Sequence, residues 1–289
     1  MNVIEVKNFK KYFGETKAVD DISFTVEKGE IFGYLGPNGA GKTTTIRCMM
    51  DFVRASEGTI SILGKDSFVD SVSLKERVGY LSGNVRLYEN WTGHEHIDFV
   101  RKLNGKKDIA VNLTSMLDFN PKIKTKKLST GNRQKLGVIM AFMLEPEVLI
   151  LDEPTTTLDP LLQNVVYDLL REATSNGTTV FMSSHNLAEV ERVCSRVGII
   201  KAGKMVAIES VKSLKEKRMY SVSVYFHEPV DMSVFVAEGV SVVKEMPLGL
   251  VMKVAGDINA VLKKLAAYNV KDISISQASL EEIFLEFYE

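Results

Sequence analysis

Short apolar runs alternate with helical stretches along the first two thirds of the chain. Three of these runs, at residues 30–35, 148–151 and 178–182, are apolar at nearly every position. Continuous apolar runs are typical of strands that are buried on both faces of a parallel sheet. The pattern therefore predicts an α/β core with a mostly parallel sheet.

The opening segments have a different pattern. Residues 4–6, 22–26 and 58–62 alternate apolar and polar positions, which indicates an antiparallel sheet with one solvated face. Between about 92 and 145 the spacing becomes mostly helical, and Thr92 stands where a helix cap is expected. We therefore expect an antiparallel β subdomain and an α-helical subdomain beside the parallel core.

The pattern changes again near residue 218. Residues 220–225 and 273–276 alternate strictly, and residues 258–268 between them have helical spacing. A small α+β domain is expected here. The predicted division is a first domain over 1–218 and a C-terminal domain over 219–289.

Composition excludes several classes of protein. The 289 residues are 45% hydrophobic and 25% charged, which is ordinary for a globular chain. With 36 basic and 37 acidic side chains, no global excess of positive charge favours nucleic acid as a partner. The two cysteines, Cys48 and Cys194, and the absence of a signal peptide or a long apolar run predict a cytoplasmic location.

A glycine-rich loop follows the first apolar run. Residues 36–43 read GPNGAGKT and fit the pattern G-x-x-x-x-G-K-[ST], with a helix expected over 43–53. The backbone N–H groups of such a loop cradle phosphate oxygens, the lysine reaches the terminal phosphates, and the hydroxyl ligates Mg²⁺. The residues predicted to contact the nucleotide are Gly36, Asn38, Gly39, Gly41, Lys42, Thr43 and Thr44.

Two acidic residues end the second apolar run. Asp152 and Glu153 would be costly at the end of a buried strand without a cation or a hydrogen-bonding partner. Asp152 suits Mg²⁺, beside Thr43, and Glu153 suits a base that orients the attacking water. A strand that simply runs out into solvent is the alternative, and the phosphate loop argues against it.

Residues 128–134, LSTGNRQ, resemble the signature L-S-G-G-Q of ATP-binding cassette (ABC) ATPases. Further motifs follow in the order of that family: residues 157–159 resemble its D-loop, and His185 its switch histidine. Tyr12 stands where the family places an aromatic ring against adenine. The resemblance covers residues 1–218.

The resemblance implies a P-loop NTPase core and a set of roles. In the family, two ATP molecules are held between two ABC subunits, so Ser129 and Gly131 would contact the nucleotide of a second subunit, expected to be a second copy. Asp159 of the D-loop would also contact nucleotide. His185 would contact the γ-phosphate. Read without the family, Ser129 is a helix cap, His185 a structural histidine and Tyr12 a packing residue.

Three motifs depart from the family pattern. Thr130 and Asn132 replace common signature residues, and Thr157 replaces a common glycine of the D-loop. The glutamine expected after residues 79–81 is missing, and Gly83 aligns with it. Asn84 is therefore the candidate for the Mg²⁺ contact that this glutamine would make.

The resemblance implies the ATP-binding and hydrolysing subunit of a membrane transporter. Its partners would be membrane permease subunits, which place it on the inner face of the cell membrane. Leu87, Tyr88 and Trp91 are candidates for the docking surface, with core packing as the alternative. Residues 279–286 resemble the tail of exporter-type ATPases, and Ser279 and Glu282 form a capping-box pattern.

Two other functions remain open from the sequence. One is a soluble ABC ATPase that acts on DNA or ribosomes, although the chain has neither the long insertion nor the second cassette of such proteins. The other is a regulatory dimer that binds ATP without meaningful turnover. The altered loop at Gly83 favours this second alternative, whereas Glu153 and His185 argue against it.

Overall fold

We describe the fold from a computed structural model of the chain. The structure describes residues 1–104, 108–216, 219–236, 239–255 and 257–277. The chain divides into two compact units, Met1–Glu209 and Ser210–Glu289. The boundary predicted after residue 218 thus falls inside the second unit.

The first unit contains most of the strands and helices. In chain order its strands are β1 (Asn2–Phe13), β2 (Thr16–Glu27), β3 (Ile31–Leu35), β4 (Glu57–Ile62), β5 (Lys65–Asp66), β6 (Val78–Leu81), β7 (Val148–Asp152), β8 (Thr179–Ser184), β9 (Arg196–Lys201) and β10 (Lys204–Ser210). Its helices are α1 (Lys42–Met49), α2 (Ser71–Lys75), α3 (Gly93–Asn104), α4 (Ala110–Met116), α5 (Thr130–Phe142), α6 (Pro160–Ser175) and α7 (Leu187–Val193), with a 3₁₀ turn at Thr125–Lys127.

The central sheet has the strand order β10-β9-β3-β8-β7-β6. Strands β9, β3, β8, β7 and β6 pair in parallel. Every residue of β3, β7 and β8 is buried, which confirms the prediction made from their continuous apolar runs.

The opening strands form a second sheet with the order β2-β1-β4-β5, and its pairs are antiparallel. Ile4 pairs with Ile62 and Val6 with Ile60, and all four side chains are buried. This face packs into the same core cluster as the apolar side chains of the central sheet. The predicted antiparallel sheet with one solvated face is confirmed.

An aromatic group joins the two sheets at their centre. Phe24 of β2 lies 5.5–5.8 Å, between ring centroids, from Phe32 and Tyr34 of β3 and from Phe181 of β8. Aromatic pairs at this spacing stabilise a core beyond the area that they bury. The strands that carry the site loops are therefore fixed from one side by packed rings.

Helices α3, α4 and α5 lie in the segment predicted to be helical. Thr92 N donates to Glu95 Oε2 at 2.6 Å, and Glu95 N donates to Thr92 Oγ1 at 3.2 Å, which is a capping box. The cap predicted at Thr92 is confirmed. Among the described residues, no helix combines the length and the apolar character needed to span a membrane.

The second unit is an α+β unit, as predicted. Its elements are α8 (Val211–Glu216), β11 (Met219–Phe226), a 3₁₀ turn at Met232–Phe235, β12 (Val240–Met246), β13 (Gly249–Ala255), α9 (Ile258–Leu265) and β14 (Val270–Gln277). The sheet order is β12-β13-β11-β14 with antiparallel pairs. The expected capping box of Ser279 and Glu282 lies outside the described residues.

Candidate functional site

The predicted site residues follow neighbouring strands of the central sheet. Strands β3, β8, β7 and β6 are parallel and adjacent in that order, so their carboxyl ends, Leu35, Ser184, Asp152 and Leu81, lie at one edge. Loops that follow such ends are where open α/β sheets bind ligands. The strand order thus explains why segments distant in sequence converge here.

The glycine-rich loop is held against the sheet by its backbone. Gly36 N donates to Ser184 O at 3.2 Å, and a Cβ on Gly36 would lie 2.3 Å from Ile200 O, so only glycine fits. Gly41 precedes α1 with φ of 109°, a conformation that favours glycine. The hollow that the loop lines has a volume of about 200 Å³ and is bounded by Ala18, Pro37, Asn38, Gly39, Gly41, Lys42, Thr43, Thr44 and Glu153.

Lys42 is buried inside this loop. Its side chain is only 6% exposed, and Nζ donates to Gly36 O at 2.7 Å and to Pro37 O at 3.3 Å. Glu153 Oε1 lies 3.3 Å from the same Nζ. A buried ammonium group with carbonyl and carboxylate partners provides a fixed positive charge at the hollow.

Asp152 is a buried carboxylate with two hydroxyl donors. Its Oδ2 accepts from Thr43 Oγ1 at 2.8 Å, and its Oδ1 accepts from Ser183 Oγ at 2.6 Å. The residue is 2% exposed. A hydroxyl and a carboxylate side by side are the hard oxygen ligands that Mg²⁺ prefers, so this pair fits the predicted metal contact.

Glu153 is held from three directions. Its N–H donates to Ser183 Oγ at 3.1 Å, and its Oε2 accepts from His185 Nδ1 at 2.7 Å and from Thr156 Oγ1 at 3.3 Å. Because a carboxylate only accepts, the ring proton of His185 resides on Nδ1 in this pair. The backbone of Glu153 is left-handed, with φ of 52°. For a residue other than glycine this costs about 1–2 kcal/mol, and such strain concentrates at functional sites.

The loop after β6 brings Gly83, rather than Asn84, to Asp152. A Cβ built on Gly83 would lie 3.1 Å from Asp152 Oδ2. Asn84 is exposed, and its backbone N–H and C=O both bond to Ser82 Oγ. The Mg²⁺ contact of Asn84 stays a prediction.

The signature residues occupy the start of α5. Ser129 is exposed, and its Oγ accepts from Asn132 N at 3.3 Å, which confirms the predicted helix cap. A Cβ on Gly131 would lie 3.0 Å from Thr157 O. Asp159 caps α6, where its Oδ1 accepts from two backbone N–H groups at 3.0 Å. In the part of the chain that the structure describes, no hydrogen bond joins these three residues to the loop at 36–44.

Tyr12 lies on β1. Its hydroxyl donates to Asp20 Oδ1 at 2.7 Å, and Lys17 Nζ lies 5.5 Å from the ring centroid. The bond to Asp20 raises the pKa of Tyr12. Among the described residues, the set that lines the phosphate hollow does not include Tyr12, so its stacking role stays a prediction.

An aromatic surface lies on the segment that leads into α3. Tyr88 is 63% exposed, and the ring centroid of Trp91 lies 4.7 Å from that of Tyr88 and 5.6 Å from that of Phe99. His96 fixes the segment: its Nδ1 bonds to the carbonyl of the preceding turn at 2.8 Å, and its Nε2 accepts from Tyr88 N at 3.0 Å. Leu87 and Trp91 are partly buried.

Two site residues were missed from the sequence. Gln134 of α5 is 5% exposed and donates through Nε2 to Pro154 O at 3.0 Å and Glu153 O at 3.3 Å. Glu189 of α7 is 4% exposed and accepts from hydroxyls of both strand-end loops. A polar residue within an otherwise apolar helix face was the available signal for Gln134.

Known proteins resemble the chain over most of its length. A model of the ABC transporter family matches residues 19–156. The uncharacterized ABC transporter ATP-binding protein YhcH of Bacillus subtilis is 34% identical, with 98% of this chain and 95% of that protein aligned. The bacitracin transport ATP-binding protein BcrA of Enterococcus faecalis is 36% identical over 76% of this chain and 73% of its own length.

A solved structure described as the ATP-binding subunit of an ABC transporter matches the fold. Its TM-score is 0.68 at 28% identity, covering 74% of this chain and 92% of that one. The chain therefore belongs to the ABC transporter family, as an ATP-binding protein with the P-loop fold of an ABC ATPase.

Proposed function

We propose that the chain hydrolyses ATP to drive export through membrane permease subunits, with Glu153 and His185 as its catalytic pair. The observation that carries this proposal is the set of contacts that joins Lys42, Glu153 and His185 at one sheet edge. Buried charges with such partners are characteristic of sites that handle charge during a reaction.

The residues of the loop fit Mg-ATP. Lys42 and the N–H groups of residues 36–44 would hold the phosphates, and Thr43 with Asp152 would hold Mg²⁺. Bound Mg-ATP would supply the phosphoryl group, and its Mg²⁺ would supply positive charge that offsets the negative charge of the phosphates. Lys42 already has two carbonyl partners, so its ammonium group is oriented within the loop and not free to rotate away.

Glu153 is placed to act on water. Its carboxylate accepts from His185 and faces Lys42, so the residue lies between the phosphate loop and the histidine. From there Glu153 would orient water and accept a proton from it. His185 is half exposed, at 50% of its side-chain surface, and bonds Glu153 through Nδ1; it would donate to a phosphate through Nε2 only as the imidazolium, with a proton on both ring nitrogens.

A second copy of the chain completes the proposed site. Ser129 lies at the exposed start of α5, and Asp159 caps α6 without a hydrogen bond to the phosphate loop of the same chain. An exposed helix start presents N–H groups that favour an anion. We therefore assign Ser129, Gly131 and Asp159 to the nucleotide of the partner copy, with ATP closing the dimer and hydrolysis reopening it.

The transport partner is proposed on two grounds. A relative of this chain is named for bacitracin transport, which supports an exporter. The aromatic surface at Tyr88 and Phe99 supports a docking site for a permease, because exposed aromatic groups are enriched at protein interfaces. This arrangement would place the chain on the inner face of the cell membrane, with no role for nucleic acid.

Light scattering with the Glu153→Gln variant tests the dimer and the site together. The variant should bind Mg-ATP, fail to hydrolyse it, and shift from the 32.2 kDa of one chain to about twice that mass when Mg-ATP is added. The Ser129→Ala variant in the same background should bind ATP and remain at the lower mass. A Glu153→Gln chain that binds Mg-ATP and stays monomeric would contradict closure between two copies.

A further inference from the structure

We propose that Glu189 is a positioning residue that sets the geometry of Glu153 and His185, an inference that rests on the hydrolysis proposed above. Glu189 lies on α7, four residues after His185. It has no place among the residues that line the phosphate hollow, so it acts on the site through other side chains. The juxtaposition that carries the inference is one buried carboxylate between the two loops that bear the catalytic pair.

The carboxylate of Glu189 bonds to both loops. Its Oε1 accepts from Thr155 Oγ1 at 2.5 Å, and its Oε2 accepts from Ser184 Oγ at 2.6 Å. Thr155 is two residues after Glu153, and Ser184 immediately precedes His185. One oxygen of Glu189 therefore fixes a residue two positions after Glu153, and the other fixes the residue that precedes His185.

The backbone pairing between β7 and β8 ends just before the catalytic pair. Strands β7 and β8 pair as far as Asp152 and Ser183, and Glu153 and His185 lie beyond this last pair. Past that point the two segments are joined by the bond from Glu153 N to Ser183 Oγ, by the bridge of Glu189 and by the direct bond between Glu153 and His185. The bridge of Glu189 therefore connects the two segments with side-chain hydrogen bonds beyond the point where the backbone pairing of β7 and β8 ends.

The hydroxyl of Ser184 both donates and accepts a hydrogen bond. It donates to Glu189 and accepts from Asn186 N at 2.9 Å, in the turn that starts α7. Asn186 in turn caps α7, because its Oδ1 accepts from Ala188 N at 2.9 Å. These bonds of Ser184 and Asn186 therefore fix the helix that carries Glu189 to the segment that carries His185, independently of Thr155.

Burial makes the bridge sensitive to its two donors. Glu189 is 4% exposed, Thr155 5% and Ser184 fully buried. Burial raises the pKa of Glu189, while the hydrogen bonds from Ser184 and Thr155 act in the opposite direction. A buried carboxylate keeps its charge best when both oxygens have donors, so shortening the side chain breaks an arrangement that water cannot replace.

Steady-state ATPase kinetics on the full chain test the inference. Glu189→Asp retains the charge but is too short to reach both hydroxyls, so kcat should fall roughly 10- to 100-fold while the KM for ATP changes less than about twofold. Glu189→Gln retains the length, but its amide has one accepting oxygen and one donating NH₂, so one of the two hydroxyls must turn to accept, and kcat should fall less than in Glu189→Asp. The matched control is Glu172→Asp, the same shortening at an exposed position of α6, which should leave both constants unchanged.

Two further variants separate the possible failures. Thr155→Val removes one donor at nearly constant volume and should lower kcat in the same way as Glu189→Asp, which keeps the test decisive if Glu189→Asp does not fold. If Glu189→Asp and Thr155→Val both retain the wild-type kcat, the positioning role is wrong. Persistent turnover in Glu153→Gln would instead overturn the proposed function.

Discussion

Removing the hydroxyl of Ser183 should cost more stability than removing an ordinary buried hydroxyl. Ser183 is fully buried and donates to Asp152 Oδ1 at 2.6 Å, while its oxygen accepts from Glu153 N at 3.1 Å. Ser183→Ala therefore removes a donor from a charged acceptor and leaves a backbone N–H without a partner. Both losses occur at the edge where the site is built.

The magnitude follows from these two contacts. A hydrogen bond to a charged group contributes about 1.5–3 kcal/mol, and a buried donor left without an acceptor costs about 1–3 kcal/mol. Because the two losses share one oxygen, their sum is bounded below simple addition, and we expect the free energy of unfolding to fall by about 2–5 kcal/mol. The gap left by a single hydroxyl is small and adds little.

Urea unfolding followed by tryptophan fluorescence measures the change in the free energy of unfolding of the first unit, which contains Ser183. The chain has one tryptophan, Trp91, which lies in the first unit together with Ser183. Its signal therefore reports the unfolding of that unit alone, which matters because a chain of two units need not unfold in one step. The experiment is done without nucleotide, so that ligand binding does not shift the midpoint.

The control is Ser195→Ala. Ser195 is exposed and its Oγ donates to the neutral Ile31 O at 3.2 Å, so its loss should cost about 0.5–1.5 kcal/mol. If Ser183→Ala costs no more than Ser195→Ala, the hydrogen bonds at Asp152 and Glu153 do not stabilise the fold as argued here.

Three further outcomes are expected. Gln134→Met has nearly the same volume but loses the bonds to Pro154 O and Glu153 O, so ATPase assays should show a lower kcat, and an unchanged kcat would exclude this link. Thr157→Gly should raise the midpoint of thermal unfolding, because the φ of 78° strains the β-branched Thr157 by about 1–2 kcal/mol. The greater conformational entropy of glycine in the unfolded chain offsets only part of this gain. A lower midpoint would show that the backbone of Thr157 is not strained. Cys48 and Cys194 should resist a thiol reagent in the native chain between pH 7 and pH 9, because burial raises the pKa of Cys48 to about 11 and also raises the pKa of Cys194. Rapid labelling would show that these thiols are accessible.

The sequence predicts the central strands because a strand that is buried on both faces has apolar residues at nearly every position. Residues 148–151 and 178–182 are mostly apolar, and they lie in or beside β7 and β8, where every residue is buried. The glycine-rich loop is predicted because its pattern is contiguous in the sequence, and because Gly41 takes a φ of 109° that favours glycine. Local rules of this kind can be applied without knowing the fold.

Element ends are less well predicted. A helix was expected over 43–53, but α1 ends at Met49. The backbone of Asp51 is left-handed, with φ of 53°, and Phe52 N turns back to bond Arg47 O. Aspartate tolerates this conformation, and a chain that enters it leaves the helix, which the apolar spacing does not reveal.

Contacts between distant segments could not be predicted. Glu189 meets Thr155, 34 residues earlier, and Gln134 meets Pro154, 20 residues later. Both contacts depend on β7 lying beside β8 and on the direction in which each helix returns to the sheet. Taken alone, Glu189 has the pattern of an acidic residue in the first turn of an ordinary short helix.

Phosphate release by wild type and Glu153→Gln is the most direct test of the central claim. The account predicts steady turnover of Mg-ATP by the purified wild-type chain, and a loss of about 10²-fold or more in Glu153→Gln with ATP affinity retained. Retained affinity shows that Lys42 and its loop are intact, so the loss then belongs to Glu153. Turnover at the wild-type rate in Glu153→Gln would show that hydrolysis does not depend on the carboxylate that Lys42 and His185 hold.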